Sequence, residues 1–191
     1  MAQTFIQPGD GKPVHTEFRD GKEIAFVEKN GVTVGLANYK ESDDYGTYYQ
    51  LGIIVRNQSD STILFDPQQI YATVTEKDGF NRMVEVFTYD KYKQAANRSR
   101  SWQQFWNILS DGFISSASSD AELRMEAKMA RKDILARGAN YLKKNTLNPG
   151  EFIAGYINVR YKKGVTMDVG IPLAGTEFDF KWDIAKKKKQ K

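Results

Sequence analysis

From Glu23 onward the chain alternates apolar and polar positions in short runs, punctuated by turn residues. Ile24, Phe26 and Glu28 alternate with Ala25, Val27 and Lys29, and Asn30-Gly31 then precedes Val32-Thr33-Val34-Gly35-Leu36. Asn-Gly tolerates the positive φ angles of a type I′ turn, so this spacing predicts a hairpin. Residues 48–57 are too continuously apolar for a strand with one wet face and predict a central strand. After the polar turn Gln58-Ser59-Asp60-Ser61, strands are expected over 62–66 and 69–76. Pro67 lies between them and cannot donate to a ladder, which predicts an edge, a bulge or a switch between sheets. Lys77-Asp78-Gly79 makes the next turn, and residues 80–89 read as another strand.

The period then changes. From Asp90 to about Phe113, apolar residues recur at Tyr92, Ala95, Ala96, Trp102, Trp106, Leu109 and Phe113, a helical spacing. A serine-rich break over 115–119 precedes a second helical pattern with Leu123, Ala127, Ala130, Ile134 and Tyr141 on one stripe. Ser119 or Asp120 would cap it, and Lys143-Lys144 suit its negative pole. Leu147-Asn148-Pro149-Gly150-Glu151 marks the return to strands. Three well-alternated runs follow: Ile153, Ile157 and Val159; Met167, Val169 and Ile171; Phe178, Phe180 and Trp182. Phe178, Phe180, Trp182, Ile157, Val159, Val169 and Ile171 are expected to supply much of the core. Residues 1–22, broken by Pro8-Gly9, Gly11, Pro13 and Gly21, read as a flexible arm.

Composition adds exclusions. The chain has 191 residues, 40% hydrophobic and 27% charged, which suits one globular domain. Its net charge of +4 is carried by the tail 185–191, whose five lysines leave the body about neutral, so a polyanion partner is not announced. With no cysteine, disulfides, thiolate metal sites and cysteine nucleophiles are ruled out. His15 is the sole histidine and stands in the arm, where neither a catalytic triad nor a metal site is easily built around it. Asp43-Asp44 lacks the ligand spacing of a calcium loop, and the glycines fall in turns rather than a phosphate cradle. No catalytic residue, cofactor or metal is therefore assigned.

Candidate contact residues remain. Arg124, Lys128, Arg131 and Lys132, with the lysine tail, suggest nucleic acid or anionic lipid. Glu122, Glu126 and Asp133 interleave them, however, so a solvated helix face is preferred, and nucleic acid is argued against. Trp102, Phe105, Trp106 and Phe113 spread over more than one side of the first helical pattern and form the candidate surface for a protein partner. Peripheral contact with a membrane is the alternative occupant. Tyr39, Tyr45, Tyr48 and Tyr49 form a second candidate, a sugar-stacking platform on an aromatic sheet face.

The elements Leu51 through Ser59, Ile63-Leu64-Phe65-Asp66-Pro67, and Leu147-Asn148-Pro149-Gly150-Glu151 through Trp182 resemble bacterial exported immunoglobulin-like (telokin-like) β-sandwich domains of unknown function. That resemblance implies a secreted, periplasmic or envelope-associated location and transfers no catalytic residue. The expected fold is mainly β: a two-layer, immunoglobulin-like antiparallel sandwich of seven or eight strands over 23–184, with a two-helix insertion over 90–145. The expected function is a non-enzymatic binding or structural module that meets a protein partner through the insertion. Carbohydrate or small-ligand binding, and polyanion association, are the alternatives.

Overall fold

A computed structural model of the chain describes residues 3–8, 14–19, 22–43, 46–87 and 141–185. These residues form β1 (Thr4–Ile6), β2 (His15–Arg19), β3 (Lys22–Lys29), β4 (Val32–Asp43), β5 (Gly46–Asn57) and β6 (Ile63–Phe65). They continue through β7 (Tyr71–Thr75), β8 (Asn81–Val84), β9 (Asn145–Leu147), β10 (Phe152–Arg160), β11 (Thr166–Leu173) and β12 (Thr176–Asp183). One five-stranded sheet runs β10-β5-β4-β3-β2, a second runs β1-β12-β11-β7-β8, and β6 and β9 form a separate ribbon. Every named pairing is antiparallel.

Local chemistry explains several of these elements. Asn30 and Gly31 both adopt positive φ, 52° and 72°, so the Asn-Gly pair closes the β3–β4 hairpin as expected. Ala174 (φ 50°) and Gly175 (φ 71°) do the same between β11 and β12. Pro67 opens a single 3-10 turn, Pro67–Gln69, capped by Asp66, whose side chain accepts from the Gln68 amide. The chain changes sheets there: β6 pairs with β9, whereas β7 pairs with β11 and β8.

The predicted fold class needs correction. The chain is mainly β, but where the two-layer, immunoglobulin-like expectation has seven or eight strands and a two-helix insertion, the described residues form twelve strands in three sheets and no α-helix. Most of the supposed insertion, 90–140, lies outside the described residues. Its last part is not helical: Tyr141 bridges Tyr156, and Asn145–Leu147 is β9. That strand owes its existence to β6, some eighty positions earlier in the chain, and pairing of this kind leaves no trace in local spacing. Within residues 1–22, read from the sequence as a flexible arm, β1 pairs with β12 and β2 with β3.

The two large sheets pack face to face. Val34, Leu36, Leu51, Ile53, Val55 and Ile157 of the first sheet share one hydrophobic cluster with Met167, Val169, Ile171, Phe178, Phe180 and Trp182 of the second. Each fully buried side chain of this size contributes about 1.5–3 kcal/mol before conformational entropy is counted. Two lateral stitches join the sheets. On one side the buried Glu23 carboxylate of β3 accepts the Phe5 amide of β1 at 2.7 Å, which satisfies an edge-strand donor. On the other, the chain leaving β8 crosses to β10, where Val86 bridges Val159.

The Leu147-to-Glu151 segment is structural. Asn57, fully buried at the end of β5, donates through Nδ2 to the Leu147 carbonyl (3.0 Å) and the Ser61 carbonyl (2.7 Å). Its Oδ1 accepts from the Ser59 amide (3.1 Å) and hydroxyl (2.6 Å). The Asn57 carbonyl takes the Gly150 amide at 2.7 Å, and Gly150 has φ 84°, which a side chain would strain. One asparagine thus fastens two turns and the ribbon to the end of the first sheet.

Candidate functional site

The described part of the chain gathers its chemistry where residues 88–140 depart and return. Beyond β8, the Phe87 amide donates to the Asn158 carbonyl (2.9 Å), and the Arg160 amide to the Glu85 carbonyl (2.8 Å). Residues 85–87 therefore lie antiparallel along the edge of β10. The returning chain lies along the same edge: Tyr141 bridges Tyr156 in parallel, and the Leu142 amide donates to the Tyr156 carbonyl at 2.9 Å. Tyr141 closes the neck. Its hydroxyl donates to the Phe87 carbonyl at 2.6 Å and accepts the Asn158 amide at 3.1 Å, while its ring meets Tyr156 edge-on at 5.3 Å. Burial pushes the Tyr141 phenol up to about 12, so it stays a neutral donor at physiological pH.

Beside this neck is a cavity of about 390 Å³, walled by residues 66–68, 86–87 and 141–144. Pro67, Val86, Phe87 and Leu142 supply apolar surface, and Asp66, Gln68 and Lys144 supply polar groups. Lys144 Nζ pairs with Asp66 Oδ2 at 3.1 Å, and Asp66 Oδ1 accepts the Gln68 amide at 3.0 Å. The Gln68 amide first, and then Lys144, hold the Asp66 carboxyl below the usual carboxylate range.

No family model matches the chain, and no curated protein sequence matches it significantly.

The predicted contact residues fall elsewhere. Trp102, Phe105, Trp106 and Phe113 lie outside the described residues, as do Arg124, Lys128, Arg131, Lys132 and the lysines of the tail. The tyrosine platform is not open: Tyr39, Tyr48 and Tyr49 are all buried, and Tyr45 is outside the described residues. Tyr49 donates to the Lys162 carbonyl at 2.8 Å and packs on Tyr161. His15 stands exposed on β2 with Nε2 3.3 Å from Glu17. Among the described residues, no three His, Cys, Asp or Glu side chains are grouped to hold a metal ion, and no helix is long and apolar enough to cross a membrane.

The cavity escaped sequence reasoning because its walls come from three distant stretches. Tyr141 sits at a position that continues a helical stripe, which disguised its place in the neck. Pro67 is a local signal, but it points to an edge, a bulge or a switch between sheets and not to a cavity.

Proposed function

We propose that this chain is a non-enzymatic binding or structural module that meets a protein partner through residues it sends out between Phe87 and Tyr141. One observation supports the reading: the 2.6 Å hydrogen bond from Tyr141 to the Phe87 carbonyl fastens both ends of that stretch to one sheet edge. The residues at both ends of that stretch belong to a packed β scaffold, and binding residues are commonly carried on segments that such a scaffold holds at their ends. The aromatic set Trp102, Phe105, Trp106 and Phe113 belongs to that stretch and supplies the residue types enriched at interface cores. An envelope-associated or secreted location accompanies the proposal through the family resemblance.

Site-directed photo-crosslinking in the native cell tests this. A photoreactive residue at Phe105 or Phe113 should yield one discrete adduct, which Trp102→Ala with Trp106→Ala abolishes in the full chain. The same probe at Met83, 79% exposed on the second sheet, should yield none. An adduct at position 83 with none at 105 or 113 overturns the reading.

A further inference from the structure

We propose that the cavity at the neck binds an apolar amino acid or dipeptide in its zwitterionic form. The inference is independent of the partner reading, because it uses only side chains of residues 66–68, 86–87 and 141–144. A volume of about 390 Å³ falls at the small-ligand end of the size range for binding pockets. Its chemistry is divided. Pro67, Val86, Phe87 and Leu142 offer no polar side-chain atom, whereas Asp66 and Lys144 set one negative and one positive group 3.1 Å apart.

Both charged groups keep spare capacity. A carboxylate accepts about four hydrogen bonds, and Asp66 is given one by Gln68 and one by Lys144. An ammonium donates three, and the Lys144 side chain is 62% exposed, so its pairing with Asp66 exchanges cheaply. A ligand that complements this lining carries an ammonium for Asp66, a carboxylate for Lys144 and an apolar group for Pro67, Val86, Phe87 and Leu142. The backbone ends of a free amino acid or dipeptide have that charge arrangement, and a leucine-like side chain supplies the apolar body. A simple anion would satisfy Lys144 but face the Asp66 carboxylate as a like charge. A sugar would bring no charge to either group and would leave the apolar residues without a match.

The phenol of Tyr141 is spent on Phe87 and Asn158 and serves to hold the wall in place. Residues fixed in this way cost little reorganisation when a ligand enters.

Titrating the isotopically labelled full chain with leucine and with leucyl-leucine, at millimolar concentration, tests the proposal by amide NMR. Saturable shifts are expected at Gln68, Val86 and Leu142. N-acetyl-leucine amide, which keeps the apolar body without either charge, should leave those amides unmoved. Lys144→Gln, a change on an exposed side chain, should weaken binding about tenfold, the loss of one charge-assisted hydrogen bond. Lys144→Arg should restore most of it. Silence at those three amides, an equal response to the neutral analogue, or undiminished affinity in Lys144→Gln each overturns the proposal.

Discussion

Both large sheets turn one face to the common core, but their other faces live in different environments. On the first sheet, strand alternation puts Ile24, Ala37, Ile54, Ala154 and Tyr156 on the side away from the second sheet, and all five are buried. On the second sheet, the corresponding side carries Met83, Glu177, Asp179 and Lys181, all exposed. The sequence follows this difference closely. β5 reads as a nearly continuous apolar run because both its faces are buried, whereas β12 alternates strictly because one of its faces meets water. Hydrophobic pattern therefore reports how many sides of a strand are covered, even where the covering element is not evident from the run itself.

The contrast can be broken most directly at Ile54, 1% exposed on the outer side of β5. Ile54→Ala should cost about 2–5 kcal/mol in urea unfolding, the range for a buried truncation that leaves a void. If it costs no more than a surface change, the outer side of the first sheet is not truly interior. Polar groups allow the same comparison. Asn57→Ala strands the Leu147 and Ser61 carbonyls in buried or half-buried surroundings and should cost about 1–3 kcal/mol. Restoration by Asn57→Asp would argue that the acceptor side of that network dominates.

On the open sheet the effects should be small. Met83→Ala is expected to move stability by no more than about 0.5 kcal/mol. Tyr71, lying over Gly170, donates to Glu177 at 2.6 Å, and that carboxylate pushes its phenol up to about 12 by accepting the hydroxyl proton and so favouring the neutral form. Glu177→Gln should bring the spectrophotometric titration of Tyr71 down toward the ordinary value of about 10 with almost no change in stability. Asp66 gives the last and smallest expectation. Its folded carboxyl titrates below the unfolded one, so its contribution is present above about pH 4 and fades as pH falls through the folded value. Asp66→Asn should flatten that part of the acid-unfolding profile.

Many of the strands and turns were legible, for physical reasons visible in particular residues. Asn30-Gly31 selects its own turn, Pro67 forbids continuous pairing, and Ile157, Val159, Val169, Ile171, Phe178, Phe180 and Trp182 alternate because one side of each strand is core; all seven are buried. What remained hidden depends on partners far along the chain. β1 and β2 are short edge strands whose polar and turn-rich surroundings resemble a loose terminus, and they exist because β12 and β3 offer ladders. β9 follows directly on a helical spacing and is too short to show a period of its own; its partner is β6. The cavity was illegible because Pro67, Val86 and Leu142 meet only once the ribbon and the β10 edge are assembled.

The fastening of Phe87 to Tyr141 has a practical corollary. A guest sequence whose own termini sit side by side could be spliced between these two positions without stretching the scaffold. The molecule is in that sense a ready-made display frame, and strain in the graft would be read out as loss of a single phenol-to-carbonyl contact.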